Sequence, residues 1–324
     1  MATWARQNQT YNLPDGRVLG FAEYGSPHGM PLLFFHGYPS SRLEAGLADE
    51  MARRRGLRFI ALDRPGFGLS TPKPHRRILD WPADVQAFAQ GMCLSRFAVL
   101  GLSGGGPFAL ACAHALPRDM LTGVGLFATG PPWVAGAQHM SLVRRATSVV
   151  ATYWPSGLRV AMNAFVGVLK WLATTGPVTR RVDSWLDGQE RKEEDGPAAV
   201  GEGTAKETTA KQTRAERRED LLRILIDEPF AQGAEAAVHE AKLLSSQDWG
   251  FRLEDVEYNV VRIWHGAEDK NAPVVMIRYL AERLPHCVLR EFEGDTHYTM
   301  FKHLEEALSE LVPEEASKER SKET

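Results

Sequence analysis

The chain has 324 residues, which is two typical domain lengths or one large α/β domain carrying an insertion. Its 38 Lys and Arg against 41 Asp and Glu give a net charge of -3, without the basic excess expected of a nucleic-acid binder, and its 44% hydrophobic content is that of a packed globular chain. Three scattered cysteines (Cys93, Cys112, Cys287), a polar Met1–Asn12 and the lack of any apolar run of about 18 residues predict no disulfide framework, no metal site, no signal peptide and no membrane span, so a cytoplasmic location is expected.

Taken in chain order, Thr10–Leu13 and Val18–Tyr24 flank Asp15-Gly16 and read as a hairpin. Leu32–Phe35, Leu57–Leu62 and Phe97–Leu100 are continuous apolar runs, as expected of strands covered on both faces. Each run ends in a glycine-containing break: His36-Gly37, Asp63-Arg64-Pro65-Gly66 and Gly101-Leu102-Ser103. Ile78–Leu94 reads as a helix between the last two. The alternation predicts an α/β fold with a mostly parallel sheet, whose ligands bind at the carboxyl ends of the strands.

Strand signals disappear between Trp133 and Trp249. Val143–Tyr153, Leu158–Thr174, Leu221–Ile226 and Ala234–Leu244 read as helices there. Asp187–Asp220, dense in Glu, Lys, Arg, Thr and Gly, is expected to be a mobile loop. The sheet pattern resumes with a strand at Asn259–Trp264, a helix at Pro273–Leu284, a strand at Cys287–Phe292 and a helix at Tyr298–Leu311. The expected organisation is a core in two parts, 1–132 and 251–312, a helical cap over 133–250 and a disordered charged tail over 313–324.

The strongest chemical signal is Gly101-Leu102-Ser103-Gly104-Gly105, which follows an apolar strand and precedes the helix-like Pro107–Leu116. A serine on so sharp a turn needs neighbours without side chains, and Gly101, Gly104 and Gly105 provide that room. The following helix points its N-terminus at the hydroxyl, where negative charge would develop. Serine also needs a base. Of ten histidines, His297 follows a strand in Gly294-Asp295-Thr296-His297, on the sheet edge expected to carry Ser103. A carboxylate must orient that imidazole, and the loop His265-Gly266-Ala267-Glu268-Asp269 offers both Glu268 and Asp269. Two backbone N–H groups, those of Tyr38 and Gly104, are expected to form an oxyanion hole. His36 is expected to brace that loop. His36, Tyr38, Leu102, Trp133 and Tyr298 are the expected surroundings of a substrate pocket.

Five segments together, HGYPSSR (His36 to Arg42), DRPGFGLS (Asp63 to Ser70), GLSGGGP (Gly101 to Pro107), HGAED (His265 to Asp269) and GDTH (Gly294 to His297), resemble the α/β-hydrolase superfamily, in the branch with HG-x-P oxyanion loops. The chain is also similar to α/β-hydrolases common in filamentous fungi, some of which serve natural-product pathways. The resemblance implies the α/β-hydrolase fold with an inserted cap, the order Ser103, Asp269, His297 for the triad, Asp269 rather than Glu268 as its acid, and no cofactor. Epoxide hydrolases and haloalkane dehalogenases resemble the HGYP region, but they carry aspartate where Ser103 stands. Gly-Asp-Thr-His also departs from the commoner Gly-Gly-His.

The implied activity is hydrolysis of a carboxylic ester, lactone or thioester of a small apolar molecule. The alternatives are acyl transfer, cyclisation or rearrangement in the same site, and a ligand-binding receptor with residual hydrolysis. The insertion holds Trp133, Trp154, Trp171, Trp185 and Trp249, which would either wall a pocket or pack the cap's own core. The Leu158–Thr174 helix, with Phe165, Val168, Leu169 and Trp171, offers a face to a membrane surface or to a second subunit in a homodimer.

Overall fold

Apolar runs without alternation need cover on both sides, and the sheet supplies it. The structure is a computed structural model that describes residues 6–194 and 213–313. Strands β1 (Gln9–Asn12), β2 (Val18–Gly25), β3 (Met30–Phe35), β4 (Leu57–Leu62), β5 (Phe97–Leu102), β6 (Leu121–Phe127), β7 (Val261–Gly266) and β8 (Cys287–Phe292) form one sheet in the order β1-β2-β4-β3-β5-β6-β7-β8. β1 and β2 pair antiparallel around the Asp15-Gly16 turn, β2 runs antiparallel to β4, and every later pairing is parallel. This is the expected α/β-hydrolase architecture.

Helices α2 (Trp81–Gly91), α3 (Gly106–Ala115) and α9 (Val274–Arg283) bury Val85, Phe88, Phe108 and Ile277 on one face of the sheet. Helices α1 (Asp49–Arg54) and α10 (Leu304–Leu311) bury Ala52, Leu304 and Leu308 on the other. Two expected helices begin as tighter turns: Ile78–Asp80 precedes α2, and Thr299–His303 precedes α10.

β6 carries no strand signal in the sequence because Gly123 and Gly125 interrupt it. A Cβ on Gly125 would lie 2.9 Å from Leu100 Cδ1 and 3.0 Å from Leu311 Cδ2, and one on Gly123 would lie 2.8 Å from the Leu311 carbonyl. The missing side chains let α10 approach the middle of the sheet.

Between β6 and β7 the chain is helical: α4 (Leu142–Tyr153), α5 (Pro155–Ala173), α6 (Gly176–Glu194), α7 (Arg214–Leu222) and α8 (Glu235–Leu244). The segment 187–220 is therefore helical at both ends rather than a loop throughout, and 195–212 lies outside the described residues, as does the tail from 314 on. Arg218 pairs with Asp183 at 2.6 Å and Arg214 with Asp187 at 3.0 Å, so ion pairs join α6 to α7.

The tryptophans of the insertion do not build its core. Trp154, Trp171 and Trp185 are 68%, 65% and 53% exposed, while Trp249 is buried in the apolar layer beneath the sheet. The small core of the insertion is Ala151, Val238 and Ala241. No helix among the described residues is long and apolar enough to cross a membrane, and no group of His, Cys, Asp and Glu among them could hold a metal ion.

Candidate active site

Strand β5 ends at Leu102, and the chain turns within one residue into the helix that leads to α3. Ser103 occupies that turn at φ +48°, a left-handed conformation uncommon for a residue with a side chain. Close packing enforces it. A Cβ on Gly101 would lie 2.5 Å from the Gly105 carbonyl oxygen, and one on Gly105 would lie 2.1 Å from that of Phe35. The Ser103 carbonyl accepts the Gly130 N–H at 2.7 Å, which fastens the turn to the loop after β6.

Gly104 and Tyr38 are neighbours across this turn, since a Cβ on Gly104 would lie 3.3 Å from the Tyr38 nitrogen. The Tyr38 N–H makes no hydrogen bond among the described residues. Gly104 lies at the start of a helical segment, where the first N–H groups have no acceptor within the helix. The arrangement leaves amide donors beside Ser103. A cleft of about 40 Å³ opens there, lined by Tyr38, Ser103, Trp133, Leu244, Asn271 and, as its one charged side chain, Arg144.

The loop after β7 folds around Asp269. Its Oδ1 accepts the N–H groups of Asn271 (2.7 Å) and Ala272 (2.8 Å), and its Oδ2 lies 2.6 Å from His297 Nδ1. Burial raises the carboxyl's pKa, but the His297 hydrogen bond and the loop amides outweigh it and hold Asp269 below the ordinary aspartate range. Glu268, the other sequence candidate, makes no hydrogen bond or ion pair with His297 among the described residues.

Asp295 explains the departure from Gly-Gly-His. Its carboxylate accepts from Lys302 (2.7 Å), His303 (2.8 Å) and the Thr299 hydroxyl (2.9 Å), so it pins the His297 loop to the turn before α10. The Lys302 contact first, then those of His303 and Thr299, hold its carboxyl down to about 2.

The expected site residues part company in detail. Ser103, Tyr38, Gly104 and Trp133 share one cleft, and Asn271 and Ala272 of the Asp269 loop line it too. His297 is hydrogen-bonded to Asp269, but no hydrogen bond joins it to Ser103 among the described residues. Leu102 points away from the cleft into the apolar cluster with Phe34 and Phe127. Tyr298 stands 74% exposed beside the His297 ring. His36 is fully buried and does not line the cleft at Ser103. Its Nδ1 donates to the Gly37 carbonyl at 2.8 Å and its Nε2 accepts the Arg64 N–H at 3.2 Å. Burial, then Arg64, holds its pKa well below the ordinary histidine value, so it braces the loop as a neutral ring.

Sequence reasoning missed what holds the His36–Pro39 loop. The buried Arg64 guanidinium donates to the carbonyls of His36 and Gly37, and Glu44 Oε2 accepts the Gly37 N–H at 2.6 Å. Arg64 in turn donates to Glu240 of α8 at 2.7 and 2.8 Å, and Arg76 donates to the same carboxylate at 2.7 Å. Burial raises the Glu240 pKa, yet the two arginines overcome it and hold the carboxyl at about 2. Nearby, Arg42 Nη1 bonds Asp63 at 2.9 Å and Glu228 of the insertion at 2.6 Å. No local signal marks these acids: Glu228 follows Asp227 in a turn, and Glu240 stands beside His239 and near Lys242 on α8.

With this geometry in place, comparison with known proteins is informative. Residues 32–311 match the alpha/beta hydrolase family. A proline iminopeptidase of Xylella fastidiosa is 32% identical over 111 residues, 32% of this chain and 34% of that protein. A non-heme chloroperoxidase of Streptomyces lividans is 31% identical over 127 residues, 39% of this chain and 46% of that protein. The aligned stretch thus spans between a third and a half of these relatives' length. Among solved structures, a hydrolase from Pseudomonas aeruginosa superimposes with a TM-score of 0.61 at 15% identity, covering 95% of this chain and 99% of that one. An enol-lactonase from Burkholderia xenovorans superimposes with a TM-score of 0.60 at 16% identity, covering 94% and 99%. At such identities these superpositions speak for the fold alone, whereas the family match spans most of the sequence, and on that ground the chain belongs to the alpha/beta hydrolase family.

Proposed function

We propose that the protein is a serine hydrolase that cleaves a carboxylic ester, lactone or thioester of a small, largely apolar molecule through an acyl-enzyme. The observation that carries this reading is the 2.6 Å Asp269–His297 hydrogen bond, on the same strand-end edge as a serine held at φ +48°. An ordinary glycine-rich turn would need neither.

In the proposed reaction Ser103 Oγ attacks the carbonyl carbon while His297 Nε2 takes its proton. The Nδ1–H donates to Asp269, which fixes the tautomer and stabilises the imidazolium. The Tyr38 and Gly104 amides receive the developing oxyanion. His297 then gives its proton to the departing alcohol or thiol, removes one from water, and the resulting attack on the acyl-enzyme releases the acid and restores Ser103. The Ser103–His297 hydrogen bond must close in the substrate complex, as such contacts in catalytic sites often do only there. Trp133 and Leu244 give the cleft its apolar walls, and the helical insertion over the strand ends acts as its cap.

The test is turnover of short-chain nitrophenyl esters and simple lactones in water enriched in heavy oxygen. The reading expects one solvent oxygen in each acid released and loss of turnover in Ser103→Ala. Product formed without solvent oxygen would favour acyl transfer, and turnover that survives in Ser103→Ala would refute the assignment.

A further inference from the structure

A cavity of about 520 Å³, far larger than the cleft at Ser103, lies on the opposite side of α8. The helix divides the two by its faces. Ala236, Val238, His239 and Lys242 line the cavity, whereas Glu240 and Leu244 face the core and the cleft. The wall between them is the cluster of Ala151, Val238 and Tyr38, whose hydroxyl donates to the Ala237 carbonyl at 2.8 Å.

Two buried guanidinium groups meet on one carboxylate beside this cavity. Arg64 and Arg76 are 0% and 4% exposed, and they share one carboxylate, Glu240. His36, against Arg64, is neutral; Glu44 lies near Arg64 but accepts the Gly37 N–H, and Asp84 lies near Arg76 but accepts two hydrogen bonds from Arg17. Among the described residues, the two buried guanidinium groups therefore have one hydrogen-bonded carboxylate between them. Arg64 spends its donors on Glu240, His36 and Gly37. Arg76 makes one side-chain hydrogen bond among the described residues, to Glu240, and it lines the cavity. Burial, and the repulsion of Arg64, hold its pKa below the ordinary arginine value. At the rim, Lys242 has no ion-pair partner among the described residues, while Arg159 is matched by Glu235 at 3.6 Å. Pro65, Pro72, Pro74 and Pro155, with Ala236 and Val238, form an apolar wall, while Lys73, His75, Ser156, Gln232 and His239 add polar groups to the lining.

We propose that this cavity is a second ligand site, which takes a small amphipathic anion: its carboxylate or phosphate head is held by Arg76 and Lys242, and its apolar body lies along the proline-rich wall. The site is independent of whether Ser103 hydrolyses anything. Its anchor is nevertheless linked through Glu240 and Arg64 to the carbonyls of His36 and Gly37.

The test is calorimetric titration of the full chain with octanoate, with octanol and inorganic phosphate as controls, and hydrogen exchange to locate the bound anion. Octanoate is expected to bind saturably, more tightly than octanol or phosphate, and to protect 72–76 and 235–242. Arg76→Gln should weaken binding by about tenfold or more, the worth of one charge-assisted hydrogen bond, and Lys242→Gln by a few-fold. Lys242 is exposed, so its variant folds whether or not Arg76→Gln does, and circular dichroism checks both. Four results would each overturn the proposal: no saturable octanoate binding, octanol binding equally well, phosphate alone binding, or protection confined to 101–107. Affinity unchanged in both folded variants would do the same.

Discussion

The helical insertion meets the core in two different ways. On the flank of the β3 and β4 loops, Glu228 and Glu240 reach down into Arg42, Arg64 and Arg76, and the charged groups there are nearly or fully buried. On the outer flank, α5 leaves Val160, Phe165, Val168 and Trp171 more than half exposed. Apolar content would have suggested the reverse. Charge seats the insertion, and its largest apolar side chains contribute little to that seating. Buried ion pairs of this kind are poor net stabilisers but demanding of position, because removing one partner strands the other. That property suits a contact whose far end holds the His36–Gly37 carbonyls beside Tyr38.

The contrast can be sharpened by comparing buried carboxylates. Asp269→Asn should leave the fold intact and reduce turnover by about 10⁴-fold, because it deprives His297 of its orienting anion; steady-state kinetics at neutral pH, beside a thermal melt, check both halves. Glu240→Ala should instead destabilise the protein by about 3–5 kcal/mol, measured by urea unfolding, since it strands two buried arginines. Acid should find the same weak point. The Glu240 carboxyl is held at about 2 in the folded chain, against an ordinary glutamate value of about 4.3, so its contribution is complete above that value and is lost as pH falls towards 2. Unfolding free energy measured from pH 6 to pH 3 should therefore fall less steeply in Glu240→Gln than in the parent. The smallest effect belongs to the outer flank, where Trp171→Ser should change stability by no more than about 0.5 kcal/mol. A loss of several kcal/mol there would break the contrast.

Much of the fold was legible because buried parallel strands leave unbroken apolar runs, as at Leu57–Leu62, and because glycines mark where strands end. β6 was not legible, since Gly123 and Gly125 serve the packing of α10 and erase the local strand signal. In the candidate site, the strand-end loops of Ser103 and His297 followed from motif and chain order, while Asp269 rather than Glu268 rested on the family resemblance. The roles of Arg64, Arg76 and Glu240 did not. Their partners lie about 160–180 residues away in sequence, and no local pattern separates a buried arginine from a solvated one. The tryptophans misled for a related reason: composition gives apolar area but not the face on which it lies.

The most direct test of the central claim is labelling of the purified protein with a fluorophosphonate, comparing wild type with Ser103→Ala and His297→Ala. The account predicts covalent labelling of the wild type at Ser103 and none in either variant. A folded wild type that remains unlabelled, or variants that label as the wild type does, would contradict it.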